Sequence, residues 1–505
     1  MRKAGISFLL LILFSFQLSA QDQLPRSSLA KEGVAPSGVA EFLEAVEESA
    51  HEFHSLMILR HGKVITEGWW HPYRPDLKHT MYSVSKSFTA TAIGFAVNEE
   101  IISVEDKVIS FFPEQLPDSI SYHLQALSIR DLLTMSVGHG QDPTSEVVSS
   151  DNWAEAFLNT PIPNPPGNKF LYNTAATYML SAILQKVTGE TVLDYLTPRL
   201  FQPLGISDVD WESNPHGINT GGYGLRLKTE DMAKFGQLFL QKGKWQGKQL
   251  LPVEWVEEAS STKIIQDPDA PREKVDCSDW LQGYGYQMWR SRYNSFRADG
   301  AFGQYILVLP ELDAVIVITS ETDDMQDELN LVWEHLLPAF NKPEMSEEPD
   351  LRNVMANLAL DPLVNKGNKR KEPEVSGQWF EHENQSFMVD FQRGVAVLNI
   401  KTEEEYFQFS FGSGEWIIGE TNRKGPYLVA GAKGYQSGLE PFKVAGSYAW
   451  TDEQTLELQL RYIESPHTQI IRLIFDGERA VMKIGNSFQK HKTELIFETL
   501  VDEEL

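Results

Sequence analysis

Strand-like runs sit at both ends of the first 340 residues, and helical periodicity fills the space between them. The runs at 55–60 and 63–69 are joined by His61-Gly62, a hairpin signal. Helix-like apolar spacing precedes them from near Ala40, with Phe42 and Val46 on one face. Helical patterns follow at 129–135, 175–188, 192–201 and 230–241. Strand signals return at 283–290, 304–309 and 314–319, and a helix is expected at 328–339. Pro310-Glu311-Leu312-Asp313 makes the turn between the last two strands. The order strands, helices, strands fits an α+β fold: one sheet built from both ends of the segment, with a helical insertion at about 111–282. The seam between the two parts is the natural place for a cleft.

The texture changes beyond residue 340. Residues 342–374 read as a linker, with a basic stretch ending at Pro373 and one helical piece at 351–360. From 375 to 505 short alternating runs appear at 387–391, 395–400, 406–411, 455–462, 469–475 and 480–484, separated by turn residues. They predict an all-β barrel or sandwich. At the other end, residues 1–20 read as a secretory signal. Arg2 and Lys3 precede an apolar stretch, Phe8 to Phe16, and Leu18-Ser19-Ala20 offers small residues at the cut. An uncleaved anchor is the alternative there, and residues 21–40 read as a linker. The expected location is periplasmic or secreted, with no stable membrane anchor after cleavage.

The formal charge of −27 argues against nucleic acid and anionic membranes as partners. A single cysteine, Cys277, excludes an intrachain disulfide and has no basic neighbour to activate it. His51 and His54 are three apart, but no further ligands suggest zinc, so no metal is expected.

The chemistry points to Ser83-Val84-Ser85-Lys86-Ser87-Phe88. A serine hydroxyl needs a base to attack at neutral pH. A lysine three residues on shares its helix face and can be that base if burial keeps it uncharged. Ser-x-x-Lys also occurs at Ser28/Lys31, Ser260/Lys263 and Ser487/Lys490, but only Ser83 opens a long helical pattern, 88–97. Ser83 is equally placed to be a helix cap.

Five stretches, in order, carry a resemblance. They are Met81-Tyr82-Ser83-Val84-Ser85-Lys86-Ser87-Phe88, Ile129-Arg130-Asp131-Leu132-Leu133-Thr134-Met135, Pro166-Gly167-Asn168-Lys169-Phe170-Leu171-Tyr172-Asn173-Thr174, Phe201-Gln202-Pro203-Leu204-Gly205-Ile206 and Gly300-Ala301-Phe302-Gly303-Gln304. Residues 41–341 resemble the beta-lactamase-related serine hydrolases: class C beta-lactamases, D-Ala-D-Ala peptidases, esterases and 6-aminohexanoate-dimer hydrolases. The resemblance implies a beta-lactamase/transpeptidase-like domain, an antiparallel sheet flanked by helices plus an all-helical lobe, and it implies no cofactor. It makes Ser83 the acylated nucleophile, Lys86 its partner amine and Tyr172 the proton-shuttling phenol, a role that suits a phenol if nearby cations lower its pKa.

Two departures stand out. Such enzymes often read Tyr-x-Asn, where this chain has Tyr172-Asn173-Thr174. Thr174 still offers a hydroxyl, and Asn173 is expected to point elsewhere. The third motif, often Lys-Thr-Gly or His-x-Gly, is here Ala298-Asp299-Gly300, without its cation. Asp299 in a cleft would repel an anion, and Arg297 is expected on the same strand face, where it can compensate. The pattern is similar to the esterase and 6-aminohexanoate-hydrolase branch. Gly300 lets the backbone approach a ligand closely, and the amides of Ser83 and Ala301 are the expected oxyanion donors. Trp69-Trp70, Trp153 and Tyr223 are candidate cleft-lining aromatics. The expected activity is cleavage of a small-molecule or peptide ester or amide. The alternatives are a pseudoenzyme that binds peptidoglycan or a partner, and a D-stereospecific peptidase or beta-lactamase.

Overall fold

The computed structural model describes residues 23–340, 342, 351–367, 369–489 and 493–499. The expected signal segment, 1–20, lies outside them. The chain divides into two compact units: residues up to Gly68, Thr80–Ala356 and Gly431–Tyr435 form one, and Trp69–His79, Asn357–Ala430 and Gln436 onward form the other.

The first unit is built on a six-stranded sheet. Its strands are β1 (Glu52–Arg60), β2 (Lys63–Trp69), β3 (Trp289–Arg290), β4 (Phe296–Gly300), β5 (Gln304–Leu309) and β6 (Ala314–Glu321), in the order β2-β1-β6-β5-β4-β3. The pairs β1/β6, β6/β5, β5/β4 and β4/β3 are antiparallel. Strands β1, β5 and β6 are apolar over most of their length because both sheet faces are covered. Helix α1 (Pro36–Glu48) packs Phe42 edge-on against Phe53 of β1. Three more helices matter to the site: α2 (Ser85–Asn98), α3 (Thr174–Thr188) and α4 (Thr229–Leu240). In α4, Gly236 lies so close to the sheet that an added Cβ would meet Val315 at 2.6 Å.

Several expected boundaries move. The N-terminal linker is shorter than 21–40: α1 begins at Pro36, and Arg26 is ion-paired with Glu67 and Glu230. The eight-residue strand expected at 283–290 reduces to Trp289–Arg290. Residues ahead of it bond to the end of a helix, Val253–Ser260, and the loop after it instead, Tyr286 N to Ala259 O at 3.1 Å and Tyr284 N to Ile264 O at 2.9 Å. The helix expected at 328–339 starts earlier, as α5 (Met325–Leu331), and continues as a wide turn, Val332–Leu336, that ends before Pro338.

The second unit is a closed barrel. Its strands are β7 (Trp379–His382), β8 (Gln385–Gln392), β9 (Val395–Lys401), β10 (Tyr406–Gly412), β11 (Ile417–Thr421), β12 (Phe442–Trp450), β13 (Thr455–Tyr462), β14 (Thr468–Asp476), β15 (Arg479–Asn486) and β16 (Thr493–Thr499). They run in the order β10-β9-β8-β7-β16-β15-β14-β13-β12-β11, and a parallel bridge between Gly412 and Ser447 joins β10 to β12. Nine strands thus close on themselves, with β11 beside β12. Alternate residues fill the interior, among them Phe387 and Val389, Leu456, Leu458 and Leu460, and Ile471, Leu473 and Phe475. This unit also takes in residues 69–79, which read as part of the first domain in the sequence. His71 N bonds Leu358 O and Leu360 N bonds His71 O, so part of the expected linker is held in place. Among the described residues no helix is long and apolar enough to cross a membrane.

Candidate active site

The chain approaches Ser83 through a constrained passage. Met81 N donates to Leu225 O at 2.9 Å, and Tyr82 then takes a φ of 45°. A bulky residue in that left-handed region costs about 1–3 kcal/mol. The Tyr82 ring is held against Phe302, centroids 5.6 Å apart. Tyr82–Val84 form a 3-10 turn that runs into α2, which leaves the Ser83 amide at its head without an intrahelical acceptor. Gly300, at the end of β4, lies against this passage: a Cβ there would meet Met81 O at 2.2 Å. The close approach at Gly300, expected toward a ligand, is in the structure made to the chain leading into the nucleophile.

Helix α2 is buried almost all round, yet it carries a series of hydroxyls, and each is satisfied. Ser85 Oγ accepts from Leu225 N at 3.2 Å, Ser87 Oγ donates to Gln287 O at 2.7 Å, and Thr89 Oγ1 donates to Gly221 O at 2.8 Å. These bonds fix residues 221–225 beside the helix.

Lys86 is 1% exposed, and its Nζ lies 3.0 Å from Ser83 Oγ, 3.1 Å from Thr174 Oγ1 and 2.7 Å from Gly222 O. Burial lowers its pKa to about 7, against the opposing carboxylates of Asp142 and Asp299. An uncharged amine has two protons and one lone pair. Gly222 O and Thr174 Oγ1 can take the protons, and the lone pair then faces the Ser83 hydroxyl. Thr174 thus stands near the amine, while Asn173 points away. Asn173 Oδ1 caps α3 at Ala176 N, and its Nδ2 lies 3.0 Å from Nδ1 of buried His139.

The Tyr172 hydroxyl bonds Ser83, and the ring lies 5.0 Å from Lys86 Nζ. The condition that nearby cations lower the pKa of this phenol is not met. Burial first, then the Asp299 charge, push it above its ordinary range, and the Arg297 charge does not offset them. Tyr172 is a neutral hydrogen-bond donor across the physiological range. Its ring stacks on Trp289 at 5.5 Å, beside Tyr284, Phe170 and Trp280, forming an aromatic wall.

Arg297 and Asp299 do share a strand face. Arg297 Nε meets Asp299 Oδ2 at 2.9 Å, and both are buried. Arg297 Nη1 is committed to Asp279 O, Arg290 O and Ser291 Oγ, and the guanidinium lies 4.6 Å over Trp280. Burial pushes the Asp299 carboxyl up, and Arg297 opposes that shift. Ala301 opens the turn between β4 and β5, with its carbonyl held by Gln304 Nε2 at 3.1 Å.

Two aromatic candidates are misplaced by the sequence reading. Trp153 is buried and packs edge-on against Tyr178 at 5.1 Å, and Tyr223 is buried with its carbonyl bonded to Trp211 Nε1. Trp69 and Trp70 belong to the second unit. What the 221–224 stretch supplies near Lys86 is a backbone atom, Gly222 O. A side chain at Gly222 would meet Thr174 Cγ2 at 2.6 Å. Asp142, whose charge acts on Lys86, was also not singled out in the sequence, since an isolated loop carboxylate has no motif.

A strained approach to a serine, a buried amine and a phenol on one hydroxyl define a serine-hydrolase type of centre. The chain belongs to the beta-lactamase family, whose model matches residues 42–337, more than half of the chain. It is a serine hydrolase. It is 26% identical over 290 residues to a 6-aminohexanoate-dimer hydrolase from Paenarthrobacter ureafaciens, covering 54% of this chain and 73% of that one. It is 25% identical over 190 residues to protein flp of Staphylococcus aureus, covering 34% of this chain and 38% of that one. Among solved structures it is similar to EstCE1, described as a hydrolase with promiscuous acyltransferase activity, at a TM-score of 0.50 and 15% identity, covering 62% of this chain and 98% of that one.

Proposed function

We propose that this chain is an exported hydrolase of uncharged esters or amides that works through an acyl-enzyme on Ser83. The observation that carries the reading is the 3.0 Å contact between Ser83 Oγ and a buried Lys86 Nζ whose pKa falls to about 7. Uncharged Lys86 takes the Ser83 proton as the oxygen attacks the carbonyl carbon. The amides of Ser83 and Ala301 stabilise the resulting oxyanion. Tyr172, still protonated, gives its proton to the leaving group, and protonated Lys86 restores it. Water then attacks the ester on Ser83 by the reverse proton path.

The substrate class follows from charge. Arg297 is wholly buried, its charge is balanced by Asp299, and its Nη1 is held by three further acceptors; Nη2 alone has no hydrogen-bond partner among the described residues, so a substrate carboxylate would meet an already balanced cation. Asp142 and Asp299 both act on Lys86, which disfavours an anionic acyl group. The aromatic wall beside Tyr172 suits an apolar or aromatic group. This favours an esterase or amidase over a carboxylate-reading peptidase or beta-lactamase.

A fluorophosphonate probe tests the nucleophile. Mass spectrometry should find the adduct on Ser83 in the wild type and none in Ser83→Ala. An adduct of equal yield in Ser83→Ala removes Ser83 from the mechanism.

A further inference from the structure

We propose that Ser320 and Glu328 are positioning residues that hold the 301–303 turn, and with it the Ala301 amide, in the geometry that stabilises an oxyanion. The proposal rests on the reading of Ala301 as an oxyanion donor. Each carbonyl of this turn is fixed from behind. Ala301 O accepts from Gln304 Nε2 at 3.1 Å, and the same nitrogen lies 2.8 Å from Ser320 O. Phe302 O accepts from Thr322 N at 3.1 Å and lies 2.9 Å from Ser320 Oγ, while Gly303 O lies 3.0 Å from that hydroxyl. One hydroxyl has one proton, so it serves one of the two carbonyls at a time. Its hold on the turn depends on what engages its own lone pairs.

Glu328, on α5, supplies that partner. It is wholly buried and stands over Gly303: a Cβ at Gly303 would meet Ser320 Oγ at 2.0 Å and Glu328 Oε2 at 2.1 Å. The turn therefore excludes a side chain at 303 and brings a hydroxyl and a carboxyl together on its inner side. Neither Glu328 oxygen has a well-formed hydrogen bond, and no cation pairs with them among the described residues. A carboxylate so enclosed is costly and an acid is not, and burial raises this group far above the carboxylate range. The Glu328 O–H then faces Ser320 Oγ, and the Ser320 proton is turned toward the carbonyls of Phe302 and Gly303. Three elements, β5, β6 and α5, thus converge on one turn.

The test uses the full chain, turnover of 4-nitrophenyl acetate, and an arylboronic acid that adds to Ser83 and mimics the tetrahedral intermediate. Ser320→Ala should lower kcat about 10- to 100-fold, weaken the boronic acid by a similar factor, and leave KM within about threefold. Glu328→Met, similar in size but without a donor, should follow it. Glu328→Gln, which keeps a donor, should stay within about threefold of the wild type. Melting temperatures close to wild type establish that the variants are folded. Wild-type kcat and boronic acid affinity in Ser320→Ala and Glu328→Met overturn the proposal, even while Ser83→Ala remains dead. So does a Glu328→Gln enzyme as impaired as Glu328→Met, or a loss of kcat accompanied by an equal loss of stability. Turnover by Ser83→Ala would instead sink the underlying reading of an acyl-enzyme on Ser83.

Discussion

In the proposed mechanism Tyr172, which keeps its proton, is the donor to the leaving group, so removing its hydroxyl should slow the step that expels that group. Tyr172→Phe is expected to lower kcat about 10²- to 10³-fold with KM within about threefold, measured on a neutral nitrophenyl ester. A rise in KM with kcat intact would make Tyr172 a binding residue only. Lys86 carries a second consequence. It binds its proton more weakly in the folded chain, at about 7, than in the unfolded chain, where a lysine titrates near about 10.4. Between those values the unfolded state holds the extra proton, so this residue's contribution to stability rises with pH. Lys86→Met lacks that term, and thermal melts at pH 7 and pH 9 should show the wild type gaining on the variant at the higher pH. At this scale the sequence motifs name Ser83, Lys86 and Tyr172, and the fold brings these three side chains together. The sequence did not show Gly222, whose contribution is a carbonyl oxygen, nor the pairing that neutralises Arg297, which depends on burial.

The helix that presents Lys86 is held by hydroxyls in an otherwise apolar setting. Thr89→Val keeps the shape and strands Gly221 O without its 2.8 Å donor. An unsatisfied buried acceptor costs about 1–3 kcal/mol, so chemical denaturation should show a loss of that order. A neutral result would mean that residues 221–225 are held by other contacts. Element type was legible wherever periodicity was strong: β1, β2, β5, α3 and α4 follow their apolar patterns closely. It failed at 283–290, where alternation looks like a strand but the amides of Tyr284 and Tyr286 are claimed by the 259–264 segment, a helix end and the loop after it. It also failed at 332–339, where the helix widens ahead of Pro338.

For the whole molecule, the reading of an enzyme domain followed by an all-β region captures the architecture, and it misses the exchange of one segment. Residues 69–79 pair with 358–360 and place Tyr73 and Leu77 in a core with Trp416, Ala445 and Ile463. Eleven residues between two strong elements carry too little pattern to reveal such a crossing. Tyr73→Ala should remove about 3–5 kcal/mol from the second unit, seen as a lowered calorimetric transition, since the ring is buried and its hydroxyl bonds Ser465 O at 3.0 Å. An unchanged transition would place Tyr73 outside that core. The charge distribution around Lys86 makes a further demand: neutral esters should be turned over far faster than nitrocefin, whose carboxylate would meet the Asp142 and Asp299 charges and an Arg297 already paired with Asp299. Comparable kcat/KM values would mean that Arg297 leaves Asp299 on binding.

The central claim is that an uncharged Lys86 is the base for Ser83. The most direct measurement is the pre-steady-state rate of Ser83 acylation by a neutral ester between pH 5 and 9. The account predicts a rise with a single ionisation near pH 7 that disappears in Lys86→Met, because only the deprotonated amine can take the hydroxyl proton. A rate independent of pH over that interval, or a pH profile unchanged in Lys86→Met, would contradict it.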